Sequence, residues 1–199
     1  MKKRVKEDSP RIQSLKEKAR KTSVKEGSFA SLQYGFGDSY VPPFALEIGA
    51  TNSQIAMLTS LSGLLGPIGQ LIGSRAMENY SRKKIVVLAI LFQILMWIPM
   101  IVLGFLFWKG IWTGYLPLML IIFYSSYTLL GNYGSPAWFS WMGDIVNEQE
   151  RGRYFSNRNR INGFYAILFS LVAAFFLDFF KDNGVILFGF ILFFFIRRK

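Results

Sequence analysis

The apolar residues of this chain gather in long blocks, with most of the charges standing before or between them. That distribution limits the fold more than any other feature. Six blocks can be traced, at 28–48, 55–73, 85–108, 115–143, 163–180 and 184–196. A helix rises about 1.5 Å per residue and the hydrocarbon core of a bilayer is about 30 Å thick, so about 20 residues cross it. The first five blocks reach or approach that length, and the sixth is short. Composition agrees, because 52% of the 199 residues are hydrophobic, with 20 Phe, 9 Tyr and 5 Trp. One soluble core of this size does not hide so much bulky apolar surface. The sequence therefore predicts an all-α, polytopic membrane protein with a basic tail over 1–26 and a six-span membrane domain over 27–199.

The chain carries 23 Lys and Arg against 12 Asp and Glu, a net charge of +11. Nucleic-acid binding needs cations and stacking aromatics on one surface, whereas here the aromatics lie inside the apolar blocks, away from the cations. Orientation explains the charge better. Segments 1–26, 74–84, 144–160 and 197–199 hold ten, four, four and three Lys or Arg, leaving only Lys109 and Lys181 for the opposite side. Cytoplasmic loops carry such an excess, so six spans place both termini in the cytoplasm, with the plasma membrane as the expected location. The long polar start does not fit a signal peptide. The chain has no Cys and no His, which removes disulfide scaffolds, Cys/His zinc sites, thiol nucleophiles and His-based acid–base chemistry. No cofactor is expected.

Two loops carry motifs. Between the second and third blocks stand Gly73, Ala76 and the run Arg82-Lys83-Lys84. This turn resembles the loop signature of the major facilitator superfamily, Gly-x-Leu-Ala-Asp-Arg-x-Gly-Arg-Arg/Lys. Met77 occupies the Asp position with Glu78 beside it, and Tyr80 occupies the second Gly position. The passage from Trp138 to Phe155 is longer. Its Trp141-Met142-Gly143-Asp144, acidic Glu148 and Glu150, and Arg151-Gly152-Arg153-Tyr154-Phe155 look like the link between spans four and five in that superfamily. The resemblance implies a solute transporter working by alternating access, as a symporter or antiporter, between two six-span halves. This chain would then be the amino-terminal half, partnered by a missing carboxy-terminal half or a second six-span protomer, by the bilayer and by a small-molecule solute. The short sixth block fits a chain that stops before its natural end, or a span that begins near Phe179. Glu78, Arg82, Asp144, Arg151, Arg153 and Arg158 would form a cytoplasmic gate, since charge-assisted pairs at helix ends can form and break as helices move.

Asp38 is the main candidate inside the membrane, where an ionisable group marks a substrate or proton pathway by default. Gln33 and Tyr34 precede it on one broad helical face. In the fourth block Thr128, Asn132 and Ser135 stand four and three apart as a polar stripe, and in the second Gly66, Gly69 and Gly73 form a small-residue face suited to close helix packing. Asp38, Gln33, Tyr34 and Asn132 form the expected solute and proton pathway. Gly35, Gly37, Pro42 and Pro43 interrupt the helix around Asp38, and such breaks are tolerated only inside protein or beside a wet cavity. An enzyme is the competing reading. Gly35-Phe36-Gly37-Asp38 is similar to the Gly-x-Gly-Asp segment of presenilin-type intramembrane aspartyl proteases. That chemistry needs two carboxylates sharing a proton, and the second would have to be Asp178. A non-catalytic structural membrane subunit is a third possibility.

Overall fold

The computed structural model describes residues 9–182 together with 186, 189 and 190, and the described residues contain helices and no strands. The first eight residues, most of the predicted sixth span at 184–196 and the final Arg197-Arg198-Lys199 lie outside them. Helix α1 runs Pro10–Phe36, followed by a single 3-10 turn at Asp38–Tyr40 and the short α2, Val41–Glu47. Helix α3 covers Asn52–Ala76, α4 Arg82–Leu95, α5 Trp97–Trp108, α6 Leu116–Ile145 and α7 Arg151–Asp182.

Local chemistry accounts for most boundaries. Pro10 stands in the first turn of α1, where its missing N–H costs nothing. Thr51 and Gln54 form a reciprocal capping box that starts α3, and the Ser81 hydroxyl accepts from the Lys84 amide to start α4. The third predicted span is bent at Met96, because Pro99 deprives the Leu95 carbonyl of its helical donor. Helix α1 passes through positions 26 and 27 without interruption, so the end of the basic tail and the start of the first apolar block share one helix.

Three stretches are long and apolar enough to cross a bilayer, Asn52–Ala76, Arg82–Trp108 and Glu148–Asp182. They mark a membrane protein. Large apolar side chains stand exposed on each of them, including Leu64 and Leu71 on α3, Leu91 on α4 and Phe164 and Phe175 on α7. Such surface is an aggregation hazard in water and a normal solvent face in hydrocarbon.

The count of six is therefore not reached among the described residues, for three different reasons. The first block is divided between a charged helix, a 3-10 turn and a seven-residue helix. Helix α6 has 30 residues, but Tyr124, Ser125, Ser126, Tyr127, Thr128 and Asn132 dilute its apolar character. The sixth block falls mainly on residues that are not described.

Helix α6 is the centre of one packed group, with α3 and α4 along its sides and α5 near its beginning, while α1 lies against α7. The first of these contacts needs glycine. A β-carbon on Gly69 would sit 2.5 Å from the Leu129 carbonyl oxygen, and one on Gly73 would run into the Tyr133 carbonyl. The two groups are joined at one end by a core of Val41, Phe44, Ile48, Trp97, Met100, Leu116 and Leu120, which also takes in Ala173 and Leu177. Toward the opposite end, which bears the basic clusters, the seam between them loosens. Cavities of about 270 and 490 Å³ lie there, between α1 and the α4–α6 pair.

Candidate functional site

The break after α1 decides what Asp38 meets. Because the helix ends at Phe36 and the chain turns through Asp38–Tyr40, the carboxylate points toward α6. The Tyr127 hydroxyl donates to Asp38 Oδ2 at 3.0 Å, and Gln33 Nε2 donates in turn to the same hydroxyl oxygen. Tyr127 thus bridges Gln33 and Asp38, the two polar groups on either side of the helix break. Its ring is held rigidly. Tyr124 stacks on it at 5.6 Å and Trp97 meets it edge-on at 5.4 Å. From the other side, the Tyr40 hydroxyl donates to the Ser170 carbonyl of α7 at 2.7 Å, fixing the turn that carries Asp38. A carboxylate held by a polar network beside stacked aromatics can bind a cationic group or exchange a proton.

The other expected pathway residues lie elsewhere. Tyr34 is 56% exposed and, among the described residues, shares no side-chain hydrogen bond with Asp38, Gln33 or Tyr127. Asn132 faces α3, where its Oδ1 accepts from Gln70 Nε2 at 2.9 Å and its own Nδ2 donates to the Thr128 carbonyl at 2.9 Å. It belongs to a line of polar contacts along α3 and α6 that also pairs Ser62 with Ser125. Asp178 is exposed on α7 and makes no hydrogen bond or ion pair among the described residues, so no carboxylate dyad with Asp38 is formed.

At the basic end, Arg82 of α4 pairs with Asp144 near the end of α6. Glu78 forms no ion pair among the described residues. Arg151 acts mainly as a helix cap, donating to the carbonyls of Gly143 at 2.6 Å and Val146 at 3.3 Å, with Glu148 at 3.9 Å. Those carbonyls have no partner within the helix. Arg158 is the most enclosed of the ion-paired cations among the described residues, with its side chain 13% exposed. It donates to the Ser23 carbonyl and hydroxyl and to Glu26 at 3.1 Å, and its guanidinium lies 4.5 Å from the Trp138 ring centre. It therefore ties α7 to α1 and α6 together. Arg153 is exposed and makes no ion pair among the described residues.

Sequence reasoning missed three contacts, those made by Tyr127, by Glu26 and between Arg20 and Glu150. Tyr127 sits immediately before the polar stripe that begins at Thr128, and a Tyr pair three apart on one helix was the available signal. Glu26, and Arg20 with Glu150 at 2.9 Å, looked like ordinary tail and loop charges. Comparison with known proteins gives no match: no family model fits the chain, and no curated protein or solved structure is significantly similar to it.

Proposed function

We propose that this chain moves a small solute across the plasma membrane by alternating access, coupled to a proton or ion gradient and without chemical change to the solute. In this reading it is the amino-terminal six-span half of a facilitator-type carrier, with its basic end in the cytoplasm, and it works with a second half. The observation that carries the reading is the Asp38–Tyr127–Gln33 network at the break in the first apolar block. An ionisable group there is expensive and is retained for a pathway. The Arg82–Asp144 and Arg158–Glu26 pairs act as inner-gate contacts, each biasing one state only by the energy it gains there. Both pairs reach solvent, so each contributes about 0–1 kcal/mol.

Proteoliposomes of the full-length protein, loaded with a pH indicator and challenged with a panel of amines, sugars and peptides, test the proposal. At least one solute class should drive proton movement, Asp38→Asn should abolish it, and Asp144→Lys should change its rate with little effect on protein abundance. Undiminished coupling in Asp38→Asn removes the proton role. Silence with every solute favours a structural membrane subunit.

A further inference from the structure

Helix α7 has two opposite faces. One meets α1, where a β-carbon on Gly35 would lie 2.6 Å from Phe169 Cβ and one on Gly27 would lie 2.8 Å from the Arg158 guanidinium. The described residues that follow α7 also keep to that side, Gly189 lying against Leu177 and Phe180. The other face is a single stripe with the spacing of one helical edge. It begins at the basic end with Arg153, Asn157 and Arg160 and continues through Phe164, Ile167, Leu171 and Phe175. The last four are 65%, 65%, 55% and 77% exposed.

The polar head of this stripe is a cleft of about 750 Å³ that also takes in Arg20, Tyr154 and Ser156. The negative charge in the cleft, Glu150, is taken by Arg20 at 2.9 Å. Arg153 and Arg160 make no ion pair among the described residues, and Arg160 donates only to Asn157 Oδ1 at 2.8 Å. Two uncompensated guanidiniums therefore sit directly above a column of hydrocarbon. The lengths agree as well. Arg160 to Leu171 spans about 16 Å of helix, and one leaflet contributes about half of a 30 Å hydrocarbon core. Helix–helix contacts in membranes favour small residues, as Gly69 and Gly73 do on α3. This column offers Phe, Ile, Leu and Phe instead.

We propose that this face holds one anionic phospholipid, its phosphate between Arg153 and Arg160 and an acyl chain along Phe164, Ile167 and Leu171. A phosphodiester accepts charge-assisted hydrogen bonds from both guanidiniums, and the Asn157 and Ser156 side chains can serve the glycerol esters. The site does not depend on the transport reading.

The test reconstitutes the full chain in phosphatidylcholine bilayers and compares spin-labelled phosphatidylglycerol with spin-labelled phosphatidylcholine at the protein surface. Phosphatidylglycerol should be preferred, and each arginine removed by Arg153→Gln or Arg160→Gln should weaken the preference by about fivefold or less. Lys83→Gln with Lys84→Gln, the same charge change on the α3–α4 turn, should leave it intact. Arg153→Lys with Arg160→Lys should retain part of it, which separates loss of charge from loss of fold. The proposal is overturned by an equal response to both lipids or by equal loss with the Lys83 and Lys84 changes. It is also overturned if soluble glycerol phosphate abolishes the preference, which means a free-anion site. A label at Ile167→Cys that is shielded from lipid-borne quenchers assigns the face to a protein partner instead.

Discussion

At the basic end a single side chain, Arg158, links three helices. It joins α7 to the Ser23 carbonyl and Glu26 of α1 while lying over Trp138 of α6. The two contacts to Ser23 are part-buried, and hydrogen bonds to a charged group contribute about 1.5–3 kcal/mol. The cation–π contact adds to that, while the solvent-reaching Glu26 pair adds only about 0–1 kcal/mol. Arg158→Ala should therefore destabilise the fold by about 2 kcal/mol, measured as a lower unfolding midpoint in detergent. Arg158→Lys should recover only part of the loss, because an ammonium cannot donate in a plane and stack at once. Full recovery by lysine would mean that charge alone is needed. The same scale explains what was legible in the site. Asp38 and Gln33 stand out in the sequence because a carboxylate and an amide are rare in an apolar block. Tyr127 does not, since a tyrosine near a polar stripe is common and its bridging role depends on the Asp38 turn meeting α6 across 89 residues of chain.

Among the elements, the closest packing is between α3 and α6, and it rests on glycine. Gly69→Ala and Gly73→Ala would force a methyl group into the backbone of α6, and overpacking of this kind costs about 1–3 kcal/mol. Gly63, on the same helix, has nothing within 4 Å of a new β-carbon. Gly63→Ala should be neutral or stabilise by up to about 1 kcal/mol through helix propensity. Unfolding of the three variants in one detergent checks this, and equal effects would show that α3 does not use its glycines for contact. Here the sequence was informative, since the spacing of Gly66, Gly69 and Gly73 marks a packing face. It was less so for α1. Lys, Glu, Ala and Leu between positions 10 and 26 suit a solvated tail and a helix equally well. The choice is made by α7, whose Tyr154 hydroxyl and Arg158 reach the backbone of Arg20 and Ser23.

For the whole molecule, the proposed orientation puts the α6–α7 turn in the cytoplasm and the α5–α6 turn outside. The absence of Cys makes this simple to examine. Single Cys residues at Gln149 and Gly114 should behave oppositely toward an impermeant maleimide on intact cells. Gly114→Cys should label at once and Gln149→Cys only after permeabilisation, and the reverse pattern would invert the topology. Helix α1 gives the assembly one more property. It is 27 residues long, a rod of about 40 Å that continues without a joint from the basic end to the turn holding Asp38. A tilt of about 5° applied at one end moves the other by about 3.5 Å, a little more than the length of a hydrogen bond. Any force that pulls on residues 10–26 is delivered, through leverage alone, to the link between Gln33 and Tyr127.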